Sequence, residues 1–73
     1  MSEGHPMISL KAARVNAEMT QNEVAVMMKR TKQTIVNWES GITNIKYTDL
    51  VELSKLYSMP IEYLRIPKAH EKR

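Results

Sequence analysis

Lys32, Gln33, Val36 and Asn37 stand at i, i+1, i+4 and i+5, a spacing that sets them on one side of a helix. Their side chains are a cation, two carboxamides and one small apolar group. In the major groove of a duplex a carboxamide pairs two-pronged with adenine, a lysine donates to guanine, and a methyl group touches the methyl of thymine. No carboxylate shares that side, so nothing on it repels a phosphate backbone. The same four residues would also make an ordinary solvated face, because any surface helix shows polar groups to water. The neighbouring elements decide between the two readings.

Other chemistries find no constellation here. The 73-residue chain has no cysteine, so neither a disulfide nor a thiolate metal site can form. Its histidines, His5 and His70, lie near the two ends and read as solvated. No phosphate-cradling glycine loop exists, and no nucleophile has a base at helical or turn spacing. We therefore expect no catalytic residues, no metal, no cofactor, no small-molecule substrate and no enzymatic activity.

The four residues need a helix to carry them, and the sequence marks one. Thr20 is an N-cap candidate with Glu23 three places on, the signature of a capping box. Val24, Ala25 and Met28 then form an apolar stripe. Lys29-Arg30 is a polar stop, Thr31 offers a second N-cap, Ile35 and Trp38 define an inward face, and Gly41 ends the segment. This predicts two short helices joined by a tight turn, with Lys29, Arg30 and Lys32 clustered at that turn.

Further elements must cover the inward faces. Leu10, Ala13 and Ala17 predict a first helix from Ser9 to about Ala17. Leu50, Leu53 and Tyr57, flanked by Val51 and Leu56, predict another from Tyr47 to Tyr57, with Asp49, Glu52 and Lys55 facing water. Pro60 suits the start of a last brief helix, Ile61 to about Arg65, in which Tyr63 and Leu64 close the core. Met19, Met28 and Met59 fall at inward positions as flexible filler, and Met27 is more exposed.

Composition bounds the rest. At 42% hydrophobic and 26% charged the chain is ordinary for a globular protein, and 73 residues make one small domain. The formal charge of +3 and pI near 9.4 fit a polyanionic partner without establishing one. Residues 1–7 read as a flexible arm, 8–65 as the folded domain and 66–73 as a flexible charged tail. There is no apolar run of membrane-spanning length and no signal-peptide pattern, which predicts a soluble cytoplasmic protein that does not engage membranes.

Residues 8–64 resemble a DNA-binding domain of the Cro/phage-repressor type, the XRE-type helix-turn-helix family. The resemblance rests on Arg14, Met19-Thr20-Gln21, Glu23, Ala25, Thr31, Gln33-Thr34-Ile35, Asn37-Trp38-Glu39 and Gly41. It continues through Leu50, Leu53, Tyr57-Ser58-Met59 and Ile61-Glu62-Tyr63-Leu64. Glu18, Lys29 and Ser58 stand where the family commonly has glycine, so each is expected to hold a positive φ.

The resemblance implies an all-α, compact five-helix, lambda-repressor-like fold and a transcriptional regulator that binds double-stranded operator DNA. Its third helix enters the major groove, where Lys32, Gln33, Val36 and Asn37 read bases. Thr20 and Gln21 hold a phosphate at the amino end of the second helix. Thr31, Thr34, Ser40, Thr43, Asn44 and Lys46 add backbone contacts, and Arg14 pairs with Glu39 as a structural ion pair. A weak homodimer, formed through the C-terminal helices and loop or only on DNA, is also implied. The alternative is a small helical protein-interaction module, such as an antitoxin or a regulator acting through a protein partner.

Overall fold

Short-range signals start each helix. The Ser9 hydroxyl accepts from the Ala12 amide at 3.1 Å and opens α1 (Leu10–Asn16). Thr20 opens α2 (Gln21–Met28): its hydroxyl accepts from the Glu23 amide at 3.0 Å, and Glu23 Oε1 accepts from the Thr20 amide at 2.8 Å. That is the capping box expected from the sequence. Thr31 opens α3 (Lys32–Ser40) by accepting from the Thr34 amide at 3.2 Å. Lys46 precedes α4 (Tyr47–Leu56) without a side-chain cap. The computed structural model describes residues 7–67, so the arm expected at 1–7 and the tail at 66–73 lie outside the described residues except for Met7, Ile66 and Pro67.

Among the described residues all four α-helices close with one device. At each end an amide two or three residues beyond the helix reaches the carbonyl five residues back: Met19 to Arg14, Arg30 to Ala25, Ile42 to Asn37 and Met59 to Ser54. A shorter bond lies inside each, as in Glu18 to Val15 and Lys29 to Val26, completing a Schellman motif. The motif needs a left-handed residue. Gly41 supplies one at φ 81°, whereas Glu18, Lys29 and Ser58 sit at φ 58°, 59° and 51°. A Cβ there is disfavoured by about 1–2 kcal/mol, partly offset because glycine loses more entropy on folding. Glu18→Gly and Ser58→Gly should therefore each raise Tm by about 2–4 °C, with Ser58→Ala giving no such gain. Circular-dichroism melts check this, and a lower Tm for both glycine variants removes the claim.

The apolar stripes meet in one core. Leu10, Val24, Ile35 and Leu53 are its most completely buried side chains, with Ala13, Ala25, Met28, Trp38, Leu50, Tyr57 and Leu64 around them. Met19 and Met59 pack against it, and Met27 is exposed, as expected. Each helix thus contributes one apolar face, and hydrophobic burial rather than any cross-link stabilises the fold.

The chain departs from the expected five helices at its end. Ile61–Tyr63 makes only a single 3₁₀ turn, and Leu64–Arg65 is extended as strand β2, parallel to β1 (Ile8–Ser9). Pro67 pushes Ile66 away from the helical region, and pairing with Ile8–Ser9 supplies the extended alternative. The strand pair, Ile8 beside Leu64 and Ser9 beside Arg65, ties the start of the chain to its end and drives Leu64 into the core. Two other helices differ by a residue from expectation: Ser9 and Ala17 flank α1 and Tyr57 flanks α4 rather than lying inside them, while α3 ends at Ser40 just before Gly41, as read.

Candidate nucleic-acid interface

Helix α3 is seated by Ile35 and Trp38, which are 1% and 5% exposed and point into the core. Its opposite side carries Lys32 and Gln33, both exposed, with Val36 and Asn37 half-buried at the flank. The four candidates for base readout therefore lie together. Two of them touch: Gln33 Nε2 donates to Asn37 Oδ1 at 2.9 Å, one helical turn away. Thr31 and Thr34 join hydroxyls at 3.0 Å beside the cap, and the Ser40 hydroxyl donates to Val36 O at 2.9 Å. Thr43, Asn44 and Lys46 are exposed in the segment that follows.

The single carboxylate of α3 is turned away from that side. Glu39 Oε2 accepts from Arg14 Nε at 2.6 Å, with the two side chains 7% and 10% exposed. Arg14 Nη2 reaches Oε1 at 3.4 Å and Nη1 donates to Met19 O at 2.8 Å. Such a fork fixes direction as well as distance, so α1, α3 and the turn before α2 are held as one body. Gln21 adds a third member by donating from Nε2 to Glu39 Oε1 at 3.0 Å. This commits one of its two amide protons and fixes its side chain at the amino end of α2. Tyr57 packs close by; burial pushes its hydroxyl up to about 12, with the Glu39 charge acting in the same direction and Arg14 opposing.

A shallow depression lies at that helix end, lined by Arg14, Met19, Thr20, Gln21, Asn22 and Lys32. Free amides and the helix dipole favour an anion there. Its rim carries Lys32 and the carboxamides of Gln21 and Asn22, and it adjoins the exposed side of α3.

A helix-turn-helix family model matches residues 10–64, from the first residue of α1 to the first of β2. The chain belongs to the Cro/C1-type helix-turn-helix, or XRE, family. It is thus a DNA-binding helix-turn-helix regulator with the all-α architecture of that family. No curated protein and no solved structure gives a match. Among the described residues no helix is long and apolar enough to cross a membrane.

Sequence reasoning missed one cluster in the family's characteristic turn. Asp49, expected to face water, is 5% exposed and accepts from Arg30 Nη2 at 2.7 Å. The same guanidinium lies 5.5 Å from the centre of the Trp38 ring, within cation–π range. Arg30 so braces the turn against both α3 and α4. The partners are 19 residues apart, and no local periodicity signals such a pair.

Proposed function

We propose that this protein is a sequence-specific transcriptional regulator of the phage or mobile-element Cro/repressor type, binding its operator as a homodimer with α3 in the major groove. The observation that carries this reading is the absence of any carboxylate from the outer side of α3, its one acid being held inward by Arg14. Lys32, Gln33 and Asn37 meet base edges, and Val36 meets a thymine methyl. Thr20 and Gln21 hold a phosphate, and Thr31, Thr34, Ser40, Thr43, Asn44 and Lys46 touch the backbone. Backbone contacts set the register and base contacts the sequence preference.

These roles separate in a selection of bound duplexes from a random pool. Gln33→Ala should cost about 1–3 kcal/mol and relax the preference at one or two base pairs, while Gln21→Ala or Lys46→Ala weakens binding to all sequences alike. A selected sequence that is unchanged by Gln33→Ala removes the role given to Gln33.

Dimerisation is supported by Ile42 and Tyr47, which are 62% and 70% exposed on either side of the loop before α4. Two such protomers place their reading helices about 34 Å apart on an inverted repeat. Sedimentation with and without operator tests this, a 2:1 complex being expected.

A protein-docking role is favoured by a different surface. Glu18, Met19, Asn22, Glu23, Val26 and Met27 line a groove on α2, and Val26 is 74% exposed. Salt separates the two readings. Phosphate-driven binding of a dimer falls on the order of a thousandfold between 50 and 200 mM salt, and apolar docking does not.

A further inference from the structure

The hydrogen bond between Gln33 and Asn37 restricts what each can say to a base. Gln33 gives one Nε2 proton to Asn37 Oδ1. Its remaining groups are the Oε1 acceptor and a second Nε2 proton. Adenine presents the complement, an N6 donor and an N7 acceptor. Asn37 has its oxygen turned toward Gln33, which occupies one of its two lone pairs, so the group left wholly unengaged is the Nδ2 amide with its donor protons. Bases with acceptor edges suit it: guanine through O6 and N7, or thymine through O4. The two residues are four apart, a rise of about 6 Å along the helix, and their side chains converge in the bond, so their tips can meet neighbouring base pairs stacked about 3.4 Å apart.

We propose that Gln33 and Asn37 act as one wired unit, Gln33 taking adenine while Asn37 takes an acceptor-edged base in the adjacent pair and orients Gln33. Asn37 is thus both a base reader and a positioning residue. This rests on the placement of α3 in the major groove and adds the sense in which its carboxamides point. The bond also removes rotamer freedom from Gln33 before DNA arrives. Immobilising one such side chain on binding is unfavourable by an amount worth about twofold to tenfold in affinity, so the wiring sharpens adenine preference by a similar factor.

The experiment is a selection from a random duplex pool with the wild-type protein, Asn37→Asp, Asn37→Ala and Gln33→Ala, run at low salt. A circular-dichroism melt of each variant confirms its fold. Gln33→Ala locates the base pair that Gln33 reads. Asn37→Asp keeps an oxygen for Gln33, so adenine persists at that pair. It removes the donor protons, so the adjacent preference moves to cytosine, whose N4 donates. Asn37→Ala removes both groups and lowers adenine discrimination at the Gln33 pair by about twofold to tenfold, besides relaxing its own pair. Full adenine discrimination in Asn37→Ala overturns the coupling. Retention of the wild-type base beside it in Asn37→Asp overturns the donor assignment. If the wild-type protein selects no sequence at all, base reading by α3 fails and this proposal fails with it, a result distinct from the other two.

Discussion

Arg14→Ala should lower the free energy of unfolding by about 3 kcal/mol, far more than loss of a surface charge pair. The reason lies in what is left behind. Glu39 is 7% exposed in its side chain and takes two bonds from Arg14, so truncation leaves a buried carboxylate without its cation, held by the bond from Gln21. Met19 O loses its guanidinium donor as well. Urea titration followed by circular dichroism measures the change. A double-mutant cycle with Glu39→Ala isolates the pair, since removing both partners leaves no stranded charge. Coupling of less than about 0.5 kcal/mol would show that the two charges act independently. The same cycle has a functional arm. Because Glu39 also fixes Gln21, Arg14→Ala should weaken binding to all DNA sequences without changing the preferred one.

Ile35→Ala is the second large effect, about 3 kcal/mol within the 2–5 expected for a buried isoleucine. Ile35 is 1% exposed and lies beneath the residues proposed to read bases. A chain of 73 residues has a total stability on the order of 4–11 kcal/mol, so this one cavity removes a large fraction of it. The urea midpoint should fall while the slope stays constant, as it does when only stability changes. Ile35→Val, which removes a single methylene, should cost about 0.5–1.5 kcal/mol and leave the selected DNA sequence intact. A loss below about 1 kcal/mol for Ile35→Ala would mean that α3 is not seated as described.

What the sequence made legible was whatever acts over one or two helical turns. Thr20 with Glu23 and Thr31 with Thr34 are neighbours along the chain, and their bonds form where expected. The stripes Val24-Ala25-Met28 and Ile35-Trp38 are buried as read. Glu18, Lys29 and Ser58 hold the positive φ that the resemblance implied. The Arg14–Glu39 pair spans 25 residues, and the family resemblance supplied it where periodicity could not. Arg30 with Asp49 had no such help, and an acid in the first turn of a helix is equally well explained by the dipole. The end of the chain was misread because Pro60 suits a helix start, whereas the strand that follows exists only through its partner at Ile8–Ser9.

The placement of the chain's one tryptophan has a practical consequence. Trp38 lies on the inner side of α3, 5% exposed and capped by Arg30, while the groups proposed to read a duplex lie on the outer side. Its emission should shift to the red when the domain opens and stay nearly constant when a duplex is added. Intrinsic fluorescence therefore reports integrity without reporting occupancy. A labelled oligonucleotide supplies the second signal, and the pair of signals sorts unfolded variants from those that have merely lost their grip.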